Sequence, residues 1–219
     1  MLICALTLSG CAGIEPEKRM YPLALGVEQS ENGWKFIYGL PELPSAEGQE
    51  KEEAGNSALA ITGVDFETIE KIYDRSQEKY LDMGHLQVLI LKNDLTQSDR
   101  WSELLSYLEK EPLIGENVYV FRTENLTELM DWNKEGTSIG EYLPGLLENR
   151  IPDQEKNGTT LRQVYHQWYE NGTLPEFLRS SCRMEKFRYI WNKFAEKTSI
   201  LQTEDDFIFI DSEVPKWTG

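Results

Sequence analysis

The sequence is poor in the residues that most often bind metal ions. Its 219 residues include two histidines and three cysteines. His85 and His166 lie more than 80 residues apart, and the cysteines form neither a Cys-x-x-Cys pair nor a cluster with histidine, the arrangements that hold zinc. We therefore predict no metal site and no cofactor. We expect both histidines to be structural, with His85 at the start of a buried strand and His166 on a helix.

Basic residues and long apolar runs are also scarce. The 22 lysines and arginines stand against 38 aspartates and glutamates, which gives a net charge of −16. A field of this sign repels a phosphate backbone, so we predict no nucleic-acid partner. No run reaches the roughly 18 to 20 apolar residues of a membrane-spanning helix, which argues against an integral membrane protein and leaves attachment through a lipid open.

Familiar catalytic motifs are missing. The chain has no glycine-rich phosphate loop and no His-Glu-x-x-His, Gly-x-Ser-x-Gly or Ser-x-x-Lys pattern. Acidic pairs such as Glu52-Glu53 and Asp205-Asp206 are expected by chance among 38 acidic residues, and a solvated surface is their simpler interpretation. We therefore predict no catalytic residues and a protein that is not an enzyme.

The amino terminus has the pattern of a bacterial lipobox. The first eleven residues are largely apolar and end in Leu8-Ser9-Gly10-Cys11. In such a segment the Cys11 thiol takes up a diacylglyceryl group before the signal peptide is cleaved. We predict a signal peptide at 1–10 that is incomplete, since no basic residue precedes Lys18, and lipid attachment at Cys11. The alternative is a short apolar strand that happens to contain this cysteine.

The first half of the chain predicts alternating strands and helices. Residues 21–28 and 34–40 read as two antiparallel strands joined by an Asn32-Gly33 turn, followed by a solvated loop at 41–56. Asp65 is the expected N-cap of a helix between strands at 57–62 and 85–91, which together form a crossover with parallel strands. The expected apolar face of that helix consists of Phe66, Ile69, Ile72, Tyr73 and Tyr80.

The second half is expected to continue in the same way. A helix at 98–110, with Thr96 and Ser98 as capping candidates, precedes a strand at 117–121. Short helices follow at 126–132 and 139–147, with Pro144 either in a first turn or breaking the second one. The remaining predictions are a linker at 151–158, a helix at 161–169 capped by Thr160, a helix favoured over a strand at 184–194, and a strand at 207–210.

These elements predict the α/β class, with α+β as the open alternative. The architecture is a mixed β-sheet with an N-terminal antiparallel hairpin, a β-α-β crossover and flanking helices. We divide the chain into the signal peptide at 1–10, an α/β domain at 11–150 and an extension at 151–219 that could begin a second domain.

Several distinctive segments follow one another along the chain: Ala-Leu-Gly-Val-Glu at 24–28, the aromatic-led apolar segment at 80–91, Glu-Pro at 111–112 and Gly-Glu-Tyr-Leu at 140–143. Their order resembles the N-terminal region of the Ger(x)C family of spore germination lipoproteins. The likeness runs from about Cys11 to Asn149, is weaker from there to Gly219, and is most specific at 80–91. Glu28 stands where the family usually has aspartate. The resemblance also leads us to expect that the family's large C-terminal domain is lacking.

The resemblance implies the C subunit of a spore germinant receptor. Such a subunit is lipid-anchored, here through Cys11, on the extracytoplasmic face of the spore inner membrane. It acts without catalysis beside integral membrane subunits of the A and B types in nutrient-triggered germination. Two other functions stay open at this point: an extracytoplasmic solute-binding lipoprotein, and a hydrolase or transferase with an unfamiliar site.

Overall fold

The computed structural model describes residues 14–41, 58–134, 137–148 and 158–174, and the backbone of three further strands. The strands of the described part are β1 (Arg19–Met20), β2 (Ala24–Ser30), β3 (Gly33–Gly39), β4 (Ala58–Gly63), β5 (Tyr80–Leu81), β6 (Val88–Lys92), β7 (Tyr119–Thr123), β8 (Asn133–Lys134), β9 (Thr137–Ser138), β10 (Leu178–Arg183), β11 (Ser199–Gln202) and β12 (Phe207–Asp211). Its α-helices are α1 (Phe66–Ser76), α2 (Trp101–Lys110), α3 (Leu126–Met130), α4 (Ile139–Glu148) and α5 (Leu161–Asn171).

Eight of these strands form one mixed sheet. Their order is β11-β12-β10-β7-β6-β2-β3-β4. The four central strands β10, β7, β6 and β2 are parallel to one another, whereas all pairings outside these four are antiparallel. The predicted α/β class and mixed sheet are confirmed.

The predicted N-terminal hairpin is present, but its turn lies one residue earlier than expected. Ser30 pairs with Gly33, so Glu31 and Asn32 are the two turn residues and Gly33 belongs to β3. A Cβ atom at Gly33 would lie 2.1 Å from the carbonyl oxygen of Gly63 on the neighbouring strand. The glycine is therefore required by a close approach of two strands rather than by the turn.

The predicted crossover is also present. Asp65 caps α1, because its carboxylate accepts a hydrogen bond of 2.7 Å from the backbone N–H of Thr68. The chain then returns to β6, which runs in the same direction as β4 but pairs with β2, Val88 lying opposite Ala24. In the sheet, β2 and β3 therefore lie between β4 and β6, the two strands that the crossover connects.

Apolar side chains fill a core on each face of the sheet. Successive residues of a strand point to opposite faces, so Leu89 and Leu91 belong to one core and Val88 and Ile90 to the other. The first core is covered by α1, α2 and α5, and the second by α3 and α4. The result is a three-layer arrangement with helices on both faces.

Two predictions around β6 are wrong. β6 begins at Val88, so His85 does not open a buried strand. The Asp82 carboxylate accepts the backbone N–H of Gly84 and caps a 3-10 turn at Met83–His85, which leaves His85 exposed with its ring 4.6 Å from that of Tyr21. Tyr80 is not on the apolar face of α1 either, because it lies beyond the end of that helix, in β5, and is exposed.

Three further corrections concern the second half. α2 is not capped by Thr96 or Ser98, because their hydroxyls donate instead to the backbone carbonyls of Asn93 and Leu95. β7 begins at Tyr119, two residues after the predicted start. Pro144 neither opens nor breaks its helix but lies inside α4, where it is buried next to Leu143, a residue of the second core.

The predicted helix at 161–169 corresponds to α5. Its first turn has a capping box in which Thr160 and Gln163 bond each other's backbone N–H groups. Leu161 and Val164 are buried in the same core as α2. The strand predicted at 207–210 corresponds to β12.

Other predictions lie wholly or mostly outside the described residues. Cys11 and the signal peptide at 1–10 are among them, as are the loop at 41–56, the linker at 151–158 and the helix at 184–194. The division into domains at 150 stays a prediction.

Candidate functional site

Charged side chains surround a depression at the carboxyl ends of the parallel strands. Glu28 is near the end of β2, Lys92 ends β6, and Glu124 follows β7. The carboxyl ends of parallel strands meet at one edge of a sheet, which is the usual place for binding sites in α/β proteins. Alternation along the strands turns Glu28, Lys35 and Lys92 to the face that is covered by α3.

Glu28 is the centre of this group. Its Oε1 accepts a hydrogen bond of 2.7 Å from Lys35 Nζ on β3, and its Oε2 accepts one of 3.1 Å from Lys92 Nζ on β6. Its side chain is only 13% exposed. Burial acts to raise the pKa of Glu28, but the hydrogen bonds from the two lysines outweigh it and hold the pKa below its ordinary value. Glu28 is therefore ionised at neutral pH and joins three strands electrostatically.

The same group reaches the helix above the sheet. Lys35 Nζ also donates a hydrogen bond of 3.2 Å to Thr127 Oγ1 on α3. Asn93, just after β6, donates from Nδ2 to Glu124 Oε1 at 3.4 Å. These bonds fix the start of α3 relative to the strand ends.

An open depression of about 290 Å³ lies between these residues. Six of its seven lining side chains are charged or polar: Glu28, Lys92, Glu124, Asn125, Thr127 and Glu128. Small-molecule pockets are mostly apolar, whereas charged and amide groups of this kind are typical of the rim of a protein interface. The chemistry available is charge and hydrogen-bond recognition.

A second polar group lies between α1 and α2, at the opposite end of β3. The rings of Tyr38 and Tyr73 are 5.8 Å apart, and both are buried in the first core beside the half-buried Tyr107. Burial, with neighbouring carboxylates, raises the pKa of Tyr38 and of Tyr107. Burial and the nearby carboxylate of Glu70 also raise the pKa of Glu111. This group is a tightly packed part of the core rather than an open site.

The two histidines that the sequence analysis considered lie apart in the described part of the chain. His85 lies beside Tyr21, and His166 is exposed on α5 with its Nε2 3.3 Å from Glu170 Oε1. Cys182 is in β10, on the other side of β7 from β6. Within the described residues, no group of three or more histidine, cysteine, aspartate or glutamate side chains is placed to hold a metal ion. No helix in the described part of the chain is long and apolar enough to cross a membrane.

Sequence reasoning did not assemble the group around Glu28. A signal was present, because a two-residue turn at Glu31 and Asn32 places Glu28 opposite Lys35 across the hairpin. A turn at Asn32-Gly33 would instead place Glu28 opposite Ile37. The one-residue error in the turn therefore concealed the charged pair.

Fold and site together define a three-layer α/β domain with a parallel centre and a polar depression at the carboxyl ends of its strands. The family model described as the spore germination protein N-terminal domain matches residues 13–177. The chain belongs to this family, as its resemblance to Ger(x)C proteins indicates, and has a role in spore germination. The family is a component of germination receptors and is not a known enzyme family. No curated protein and no solved structure matches the chain.

Proposed function

We propose that the chain is the C subunit of a spore germinant receptor, anchored by a lipid on Cys11 to the extracytoplasmic face of the spore inner membrane. It acts there without catalysis, through contacts with the integral membrane subunits of the A and B types. The observation that carries this proposal is the family match over residues 13–177, which starts two residues after the lipobox cysteine.

The path of the chain after the lipobox supports an anchor at this position. Arg19 Nε donates to the carbonyl of Ile14 at 3.1 Å, and Arg19 Nη1 lies 2.6 Å from Asp82 Oδ2. β1 pairs with β5, so the segment is joined to the folded body by backbone bonds as well. A lipid on Cys11 would therefore hold the folded body close to the membrane.

The chemistry of the depression supports a role in protein contacts. Glu28 is held by its two lysines, and Glu124 and Glu128 add exposed negative charges at the rim. Exposed charges of one sign give an interface specificity and a faster association with a partner of opposite charge.

Co-purification from spores tests the proposal. The gene is replaced by a tagged copy, the spore membranes are solubilised in mild detergent, and the tagged protein is isolated. We expect the A and B subunits in the eluate from the wild-type protein, and a loss of nutrient-triggered germination when the gene is deleted. A tagged Cys11→Ala copy is expected to be missing from the membrane extract, and Cys182→Ser is its matched control, because it removes a thiol outside the lipobox. Normal nutrient germination without the gene would contradict the proposal.

A further inference from the structure

Six large apolar side chains are exposed among the described residues, and three of them belong to segments that lead into the parallel strands. Ile14 is 40% exposed, Tyr80 57% and Leu113 48%. All three lie next to the amino ends of the parallel strands, the end opposite to the depression around Glu28. Single exposed apolar residues need no explanation, but three at the end where the chain enters the fold are a reason to look for a partner surface.

The strand register places these residues at the same end. Ala24, Val88 and Tyr119 lie side by side as the first residues of β2, β6 and β7. Tyr80 precedes β6, and its β5 strand pairs with β1, which precedes β2. Leu113 lies in the connection between α2 and the start of β7.

The chain leaves little distance between Cys11 and this end. Cys11 is three residues before Ile14, and an extended chain spans at most about 3.6 Å per residue, so the two lie within about 11 Å of each other. Ile14 is in turn held to the body by Arg19, which is paired with Asp82. A lipid on Cys11 therefore brings this end of the body, rather than the depression, to the bilayer.

The charges of the entry segment do not oppose such a contact. Lys18 pairs with Glu15 at 2.8 Å, and Arg19 pairs with Asp82 at 2.6 Å, so these four charges compensate one another. Glu17 adds one exposed negative charge, which a phosphatidylcholine surface without net charge does not repel. The chain as a whole carries −16, which argues against attraction to anionic lipids and for a contact that depends on apolar side chains.

We propose that the end of the domain formed by Ile14, Tyr80 and Leu113 lies on the bilayer surface, with these side chains among the lipid headgroups. Tyrosine favours the headgroup level of a membrane, and the aliphatic side chains gain from leaving water. The depression at the carboxyl ends then faces away from the membrane. This inference rests on the proposed lipid anchor, since it takes Cys11 as the point of attachment.

Hydrogen exchange on vesicles tests this orientation. The mature chain from Cys11, which includes every described element, carries Cys182→Ser so that Cys11 is its only thiol. This thiol is coupled to a maleimide lipid in phosphatidylcholine vesicles, and amide exchange is compared with that of the uncoupled protein. We expect slower exchange at 78–82 and 111–116 and unchanged exchange at 28–33 and 124–128. Equal changes at both ends, or protection at 124–128 alone, would overturn the proposal.

A pair of double variants identifies the side chains responsible. Tyr80→Ser with Leu113→Ser is expected to remove at least half of the protection on vesicles. Val64→Ser with Ile72→Ser is the control, because these residues are also exposed, at 62% and 38%, and are not among the contact residues. Equal protection in the two double variants would contradict the inference.

The design separates this inference from the proposed function. Coupling replaces the biological lipid, so the exchange pattern reports orientation whether or not the host acylates Cys11. Protection that is absent on protein-free vesicles and appears only when integral membrane subunits are added would overturn the bilayer contact and make this end a protein interface.

Discussion

Glu28 and Lys35 lie opposite each other on β2 and β3, with Lys35 Nζ 2.7 Å from Glu28 Oε1. Lys92 completes the group from β6. The carboxylate thus ties the antiparallel edge of the sheet to its parallel centre at the strand ends that surround the depression.

Replacing Glu28 by glutamine should destabilise the fold in a pH-dependent way. The folded state lowers the pKa of Glu28, so its contribution to stability is present above the ordinary carboxyl pKa of about 4.3 and is lost as the pH falls. At pH 7 we expect a loss of about 1–3 kcal/mol, because the two lysines lose their negative partner and one of the two acceptor oxygens becomes an NH2 donor. Urea denaturation at pH 7 and pH 4 measures it. Glu128→Gln, on the exposed side of α3, is the control, and an equal effect of both variants would contradict this reading.

Glu111→Gln should stabilise the fold at pH 7, whereas Glu28→Gln should destabilise it. Burial and Glu70 raise the pKa of Glu111, so the folded state binds its proton more tightly and wild-type stability falls as the pH rises above the ordinary carboxyl pKa. The neutral glutamine avoids this loss. We expect a higher Tm than wild type at pH 7 and a smaller difference near pH 4, with the exposed Glu78→Gln as control. A lower Tm for Glu111→Gln at pH 7 would show that the carboxylate is stabilised where it lies.

Two glycines of α4 provide a matched pair of substitutions. A Cβ at Gly140 would lie 2.6 Å from Leu23 Cβ, whereas nothing lies within 4 Å of one at Gly145. We expect Gly140→Ala to destabilise by about 1–3 kcal/mol through overpacking. Gly145→Ala should stabilise by about 0.5–1 kcal/mol, since alanine is the better helix former. Thermal unfolding of both variants measures the difference. A change of stability in the same direction for both would contradict the packing of α4 against Leu23, just before β2.

The entry segment should depend on the ion pair between Arg19 and Asp82. Asp82 is buried and also accepts the N–H of Gly84, so Asp82→Asn removes a charged partner at a structural junction. We expect a loss of about 1–3 kcal/mol and faster amide exchange at 14–20. Glu15→Gln is the control, because its pair with Lys18 is exposed and contributes little. Unchanged exchange at 14–20 in Asp82→Asn would show that β1 alone holds the segment.

Local features of the fold could be read from the sequence. Asp65 is the predicted cap, and Leu104, Leu105 and Leu108 are buried at the helical spacing that predicted α2. These features depend on residues a few positions apart, so their pattern carries the signal.

Pairings between distant segments could not be read in the same way. β6 lies beside β2 rather than β4 because the whole sheet determines its neighbour, and several strand orders satisfy the same apolar pattern. The candidate site was missed for the same reason, since Glu28, Lys92 and Thr127 meet only after the strands and α3 are in place. Only the pairing of Lys35 with Glu28 could have been predicted from neighbouring sequence, because it follows from the hairpin once the correct turn is assigned.

Membrane fractionation of spores that carry Cys11→Ala tests the central claim most directly. The lipid-anchor account predicts that wild-type protein and the Cys182→Ser control sediment with the inner membrane, whereas Cys11→Ala is found in the soluble fraction. A Cys11→Ala protein that remains fully with the membrane would contradict the anchor, and with it the proposed position of this subunit in the receptor.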